Sequence, residues 1–465
     1  MNDVTGRTAP LWTSDEIAVA TGGQASAPFT VSGVAFDSRE VGPGDLFIAL
    51  KGEISDGHAF LDKAFAAGAA GAIVSQPISQ PHVLVADTTE ALNALGRAAR
   101  ARMGGKVIGV TGSVGKTSTK EALFAALERS LIGPVHRSVK SYNNHVGVPL
   151  SLARMPRDTR FGVFEMGMNH AGELSALTQL VRPHVAIVTA IAPAHIEFFG
   201  TEEAIAHAKA EIFEGLEPGG TAIIPQDSVH RDLLVKAAQQ YGATIVTFGM
   251  GEGAIVRGIE AVPSASGGTL VSARLPDAEL CFTVAAPGEH HVSNALAILA
   301  CVEAVGADLA ATGLALAELP GLPGRGARVT VPAGENGTAV LIDESYNANP
   351  LSMVATIRQL GRDKADRRIV VLGAMRELGD ASDALHASLA PSIEEACVDL
   401  AVLVGEEMAP LAQKLEGKLA LEHVADAPAA TRVIREKMQP GDVILVKGSN
   451  SVGLSRLVAA LSGGE

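Results

Sequence analysis

The chain has little with which to stack on ligands or to cross-link itself. Aromatic side chains make up 4% of its 465 residues, with one Trp and three Tyr. Only three cysteines occur, Cys281, Cys301 and Cys397, far apart and without a CxxC pair or a histidine at metal-ligand spacing. That excludes a disulfide framework and a zinc module, and the three are expected as buried, reduced core residues. No apolar run reaches the ~18 residues that a membrane span needs, and the segment up to Leu11 lacks the charged-then-apolar order of a signal peptide. The expectation is a cytoplasmic protein that makes no membrane contact. Positive charge is short as well: 37 Lys and Arg against 51 Asp and Glu give a formal net charge of −14, with no compensating basic block. That argues against a nucleic-acid partner, because a phosphate backbone needs a basic face. Anionic small molecules must therefore meet single placed cations, for which Lys116, Arg325 and Arg39 are candidates.

What is abundant is 47% hydrophobic residues and 50 Gly, a composition of Ala/Val/Leu-rich α/β domains with many turns. At roughly 100–200 residues per domain the length suits about three. The strongest stretch runs over residues 106–118, where the apolar Val107, Ile108 and Val110 lead into Gly112-Ser113-Val114-Gly115-Lys116-Thr117-Ser118. Gly112 and Gly115 permit a tight turn with N–H groups inward, Lys116 reaches terminal phosphates, and the Thr117 hydroxyl suits Mg²⁺. Val110 stands where the Walker A pattern has Gly, but the spacing that does the work is kept. Leu123, Leu127 and Leu131 then mark one face of a helix whose N-terminus adds its dipole.

Glycines at 104 and 105, and the Gly/Pro-dense run at 320–326, divide the chain into 1–104, 105–324 and 325–465. In the first part a short helix is expected near Ser14, a strand at 46–50, a helix from Ala59, strands at 72–74 and 83–85, and a helix from Thr88. The second alternates apolar runs at 161–164, 185–191, 222–224 and 244–246 with helical patterns, which implies a parallel sheet, followed by short antiparallel strands around the turn 266–268 and helices from His291 and Asp308. The third, with strands at 340–342, 369–372, 400–404 and 443–446, reads as a doubly wound, Rossmann-like domain without a GxGxxG fingerprint.

Ligands of open parallel sheets sit beyond the carboxyl ends of strands. Glu165 stands at such an end, as a Mg²⁺-binding acid or as a solvated one. His195 follows the 185–191 run, placed to ligate a second metal, to orient a phosphate, or to serve the structure. Lys209 lies inside the apolar stripe of a helix expected over 202–216, with Ile205, Ile212, Phe213 and Leu216 on the same face. A buried lysine is costly unless neutralised or modified, although a lysine that snorkels is the plainer alternative. Asp343, Tyr346 and Asn347 follow a strand and precede a helix with an early Pro, so Asp343 suits ribose hydroxyls and the other two a base. Lys447, Ser449 and Asn450 form a strand-end loop with donors for a carboxylate, and Ser38 with Arg39 forms a turn that suits a phosphate or a uracil-like ligand; either can equally be a simple loop.

The strings Tyr142-Asn143-Asn144-His145-Val146-Gly147-Val148-Pro149-Leu150, Glu165-Met166-Gly167-Met168-Asn169-His170, Ala192-Pro193-Ala194-His195 and Asp343-Glu344-Ser345-Tyr346-Asn347-Ala348-Asn349-Pro350 resemble the Mur ligases, the ATP-dependent amide-forming enzymes of peptidoglycan synthesis. The resemblance covers nearly the whole chain and is greatest to the member that adds D-alanyl-D-alanine to UDP-N-acetylmuramoyl-tripeptide. It implies an N-terminal domain for the uridine nucleotide, a central ATPase domain and a C-terminal domain for the amino substrate. It assigns residues 112–118, Asn294, Arg325, Asp343, Tyr346 and Asn347 to ATP, and Thr117, Glu165 and His195 to two Mg²⁺. Lys116, His195 and Lys209 become catalytic, Lys209 as a CO₂-derived carbamate that binds the second Mg²⁺. Ser38, Arg39, Asn143, Asn144, Lys447, Ser449 and Asn450 fall to the other substrates. A monomer acting through an acyl phosphate is the expectation. His145 departs from the family, whose members usually carry an acid there. The rivals are a relative adding diaminopimelate or lysine, folylpolyglutamate synthase, and a P-loop switch that forms no amide.

Overall fold

The computed structural model describes residues 9–52, 55–194, 196–264, 268–334 and 337–463. Three main sheets follow one another along the chain. The first has five strands in the order Gln24–Ala25, His82–Leu84, Gly71–Val74, Asp45–Ile48, Gly33–Ala35, parallel except at Gln24–Ala25. A two-stranded antiparallel pair, Trp12–Thr13 with Thr30–Val31, lies beside it.

The central sheet has nine strands in the order Glu279–Val284, Thr269–Arg274, Val256–Pro263, Thr244–Gly249, Thr221–Pro225, Val185–Val188, Lys106–Thr111, Phe161–Glu165, Val135–Arg137. Only the first three run antiparallel to one another. Its strands Phe161–Glu165 and Val185–Val188 are buried along their full length, as parallel strands covered on both faces must be. Alternate side chains feed two cores: Ile108, Val110 and Val163 pack with the helix Glu289–Ala304, whereas Val107, Phe164 and Val188 pack with Ile205, Ile212 and Phe213. The third sheet has six strands in the order Ala327–Ala333, Gly337–Glu344, Asp442–Lys447, Arg367–Gly373, Leu400–Val404, Ala420–Val424, with only the first antiparallel.

The three-part α/β architecture is the one read from the sequence, with differences of detail. Cys301 is buried, but Cys281 and Cys397 are exposed. Cys281 sits on the outward side of an antiparallel strand, and Cys397 follows a helix end at φ +51. The helix expected over 202–216 is an α-helix only over Glu202–Ala210 and tightens into a 3₁₀ segment, Glu211–Gly215. The strand expected to reach 191 ends at Val188. Val135–Arg137, Ala327–Ala333 and Ala420–Val424 were not legible as strands; all are half-exposed and lack a continuous apolar run. The helix Gly147–Ala153 contributes Leu150 and Ala153 to the core of Trp12, Ile17, Leu92 and Leu95, and Trp12 Nε1 donates to Ala153 O over 2.8 Å. Of the turn 266–268, residues 266 and 267 lie outside the described residues.

Candidate active site

The strand Lys106–Thr111 lies between Phe161–Glu165 and Val185–Val188, and the loop at its carboxyl end opens into the helix Lys116–Arg129. Each glycine of this loop is needed. Gly112 has φ +150, and a Cβ there would stand 1.9 Å from Thr189 Oγ1; Gly115 has φ +84, and a Cβ would stand 2.7 Å from Asn294 Oδ1. The loop is tied to the neighbouring strand end: Thr189 Oγ1 donates to Val114 O over 2.5 Å, and Ser113 Oγ donates to Ala192 O over 2.9 Å. No side chain caps the helix N-terminus, whose N–H groups and dipole suit an anion. Lys116 Nζ donates to Gly112 O over 2.6 Å. Burial pushes its pKa down, Glu165 opposes that shift, and Arg325 adds to it.

Glu165 sits opposite Val110 at the strand end and is 1% exposed. One carboxylate oxygen accepts from Thr117 Oγ1 and the other from Asn143 Nδ2, each over 2.8 Å. Lys120, a fully buried lysine that sequence reasoning passed over, lies 3.9 Å from the same carboxylate. It stands one helical turn after Lys116, and that spacing on the phosphate-loop helix was the available signal.

Lys209 is 2% exposed, as its place in the apolar stripe implied, and none of the described residues gives it a hydrogen bond or an ion pair. Burial, with the charge of Lys116 in second place, holds its pKa well below the lysine range. It is not one of the side chains that form the cleft wall. His195 lies outside the described residues.

Across from the phosphate loop stand residues of the third sheet, and between them runs a cleft of about 450 Å³. Arg325 packs its guanidinium 4.3 Å from the centre of the Tyr346 ring. Asn294, Asn347, Glu344 and Lys447 also line the cleft. Lys447 is 2% exposed and donates to Glu344 Oε2 over 3.1 Å and to Asn347 O over 3.0 Å. His290 and His291, on the first turn of Glu289–Ala304, complete this wall with ring centres 4.1 Å apart. Burial first, then Lys447, brings the pKa of His290 down to about 4. Burial and His290, against an opposing Glu344, bring His291 down to about 3. Both imidazoles are neutral at pH 7. The His290-His291 doublet just after Gly288 was the unused signal for them.

Several expected residues are not brought into the cleft. Asp343 is turned inward, accepting from Gly324 N over 2.7 Å and from Ser345 Oγ over 2.6 Å, so it braces the 320–326 segment rather than facing a ribose. Asn144 Oδ1 accepts from Gly147 N over 2.9 Å, at the start of the Gly147–Ala153 helix. Ser449 Oγ accepts from Arg376 N over 3.0 Å, and Asn450 begins a short 3₁₀ turn. Ser38 and Arg39 lie on the N-terminal unit, where the exposed Arg39 guanidinium is paired with Asp37 over 2.6 Å. His145 is exposed.

Comparison with known proteins matches three consecutive family models: Mur ligase family, catalytic domain, at residues 30–103; Mur ligase middle domain at 110–302; and Mur ligase, glutamate ligase domain, at 327–450. The chain is 35% identical over 439 residues to the UDP-N-acetylmuramoyl-tripeptide--D-alanyl-D-alanine ligase of Escherichia coli (strain K12), covering 94% of each. To the enzyme of the same name from Bacillus subtilis (strain 168) it is 34% identical over 442 residues, covering 93% of each. Among solved structures it superposes on MurF from Acinetobacter baumannii with a TM-score of 0.85 at 32% identity, covering 98% of this chain and 99% of that one. It also superposes on MurF ligase from Thermotoga maritima in complex with ADP, with a TM-score of 0.77 at 27% identity, covering 93% and 97%.

Proposed function

The chain belongs to the Mur ligase family and is a ligase, and we propose that it joins D-alanyl-D-alanine to UDP-N-acetylmuramoyl-tripeptide at the expense of ATP, in peptidoglycan precursor synthesis. One observation carries the site-level reading. Lys116, Thr117 and Glu165 of the central unit and Arg325, Tyr346 and Lys447 of the third unit line a single cleft. The phosphates belong against the loop 112–118 and the adenosine against Arg325, Tyr346, Asn347 and Asn294. The uridine nucleotide belongs near Ser38 and Arg39, with residues 1–104, 105–324 and 325–465 acting as the three domains, and Lys447, Ser449 and Asn450 serve the amino substrate.

In this reading the terminal carboxylate of the tripeptide attacks the γ-phosphorus, an O–P bond forms, the β–γ bridge breaks, and ADP leaves. Lys116 and the N-terminal amides of Lys116–Arg129 hold the charge that develops on the phosphoryl oxygens. The dipeptide amine then attacks the acyl carbonyl, loses a proton and expels phosphate. Asn143 Nδ2 donates to Glu165 Oε1 and so holds that carboxylate in place beside the phosphate loop. Gly324 at φ +74 and Gly326 at φ +90 provide the hinge on which the third unit closes, keeping water from the acyl phosphate.

The donor set of Thr117 and Glu165 fits Mg²⁺, which takes one or two carboxylates together with substrate phosphates. Bound by these residues, Mg²⁺ would neutralise charge on the phosphate oxygens and make the γ-phosphorus more electrophilic. Among the described residues no group of three or more His, Cys, Asp or Glu is placed to hold a metal ion. His195 is proposed as a further ligand. Lys209, to which none of the described residues gives a hydrogen bond or an ion pair and whose pKa burial holds well below the lysine range, is proposed to add CO₂ with loss of a proton, and its carbamate would supply a further acidic group for Mg²⁺ besides Glu165.

The test is the mass of the nucleotide product after incubation with ATP, Mg²⁺ and UDP-N-acetylmuramoyl-tripeptide. A gain of one dipeptide residue with D-alanyl-D-alanine, and none with diaminopimelate or lysine alone, is expected. Addition of a single amino acid to a shorter acceptor instead would overturn the assignment while leaving the family intact.

A further inference from the structure

Lys140 adopts φ +51, a left-handed backbone that is costly for any residue carrying a Cβ. It is gripped from two sides. Its carbonyl accepts from the buried Lys120 Nζ over 2.6 Å, and its own ammonium pairs with Glu40, on a turn of the N-terminal unit. Tyr142 OH donates to the same Glu40 oxygen over 2.8 Å, and Arg154 Nη2 stands 3.9 Å from the other.

The loop held in this way, 138–144, touches Glu165 at both ends. Ser138 Oγ accepts the Glu165 N–H over 3.2 Å, and Asn143 Nδ2 donates to Glu165 Oε1 over 2.8 Å. Asn143 O also accepts from Gly167 N over 2.8 Å, fixing the chain just past the carboxylate. The loop is thus the one stretch among the described residues that bridges the Glu40 turn and Glu165 by direct hydrogen bonds. An exposed lysine–glutamate pair contributes little to stability, and Lys140 is largely exposed. Its pairing therefore serves geometry more than folding.

We propose that Lys140 is a positioning residue of the ligase reaction: held between Lys120 and Glu40, it sets loop 138–144 and, through Asn143, the orientation of Glu165. The inference rests on the ligase reading above. It makes the N-terminal unit part of the ATP site without touching ATP, and it gives Lys120 and the strained Lys140 backbone a shared purpose.

The test uses the full chain with Lys140→Met, Lys140→Gly and Glu40→Gln. Lys140→Met and Glu40→Gln are expected to lower kcat about tenfold, as a small misplacement of a reacting geometry does, with a nearly unchanged KM for ATP and an unchanged melting temperature. Lys140→Gly removes the left-handed cost, so it is expected to melt no lower than the parent while losing as much kcat; a residue with only a structural role cannot give that split. Hydrogen exchange of peptide 138–144, measured without substrates, is expected to accelerate several-fold in all three. Unchanged exchange, unchanged kcat, or losses of kcat that follow the melting temperature overturn the proposal. If the parent forms no amide, the ligase reading fails by that result, and the exchange measurement alone decides whether Lys140 holds the loop.

Discussion

Thr117 and Glu165 lie 48 residues apart, and Thr117 Oγ1 donates to Glu165 Oε2 across 2.8 Å. The hydroxyl comes from the first turn of the phosphate-loop helix and the carboxylate from the end of the adjacent strand. On the proposed function this hydroxyl and carboxylate would seat the Mg²⁺ that a nucleoside triphosphate brings to a phosphate loop. Thr117→Val and Glu165→Gln are therefore expected to lower kcat by about 10²–10³, the scale seen when one preorganised charge-stabilising group is lost. Titration with MgCl₂ at fixed ATP should show a raised half-saturation in both, with the melting temperature little changed.

Lys209 carries a test of covalent modification. With ¹³C-bicarbonate present, the parent is expected to show one carbamate resonance that Lys209→Arg lacks. Lys209→Ala should lose most of its activity and regain part of it with added acetate or formate. Full ligation by Lys209→Ala without any added carboxylate would remove the carbamate from the account.

Arg325 lies over the Tyr346 ring at the wall assigned to adenosine, and its charge also reaches Lys116. Removing a cation held on an aromatic face costs about a factor of ten where the pair is shielded. Arg325→Ala is expected to raise the KM for ATP by about that factor, as read from initial rates. Tyr346→Leu, which leaves the guanidinium in place, should raise it less.

Three histidines set an acid limit. His290 and His136 are held down to about 4 and His291 to about 3, in each case chiefly by burial. The unfolded chain protonates near the ordinary value of about 6.5. Between those values it binds more protons than the native state, so stability is complete above about pH 6.5 and falls as the pH drops toward about 4. Denaturant unfolding across this window should show that slope, and His136→Gln should flatten it.

The phosphate loop, Glu165 and the burial of Lys209 were legible because each rests on local spacing: an apolar strand, a glycine turn, an acid at a strand end, and a lysine in step with Ile205 and Ile212. What was not legible depends on partners brought from a distance. A carboxylate after a strand looks the same whether it faces a ligand or, like Asp343, closes on Gly324 N. Arg39 reads as a free guanidinium until Asp37 is seen to hold it. The helix Gly147–Ala153 follows the phosphate-loop strand in the chain yet packs on the N-terminal core, because Leu150 and Ala153 find their apolar partners there. His290 and His291 line the cleft beside Glu344 and Lys447, which lie far from them in the chain.

The most direct measurement is phosphate release from ATP in the presence of Mg²⁺, followed with UDP-N-acetylmuramoyl-tripeptide alone, with D-alanyl-D-alanine alone, and with both. Release that requires both substrates, one phosphate for each amide formed, is the predicted result. Release at the same rate without the dipeptide, and no heavier nucleotide product, would contradict the account and leave a phosphate-loop hydrolase in place of a ligase.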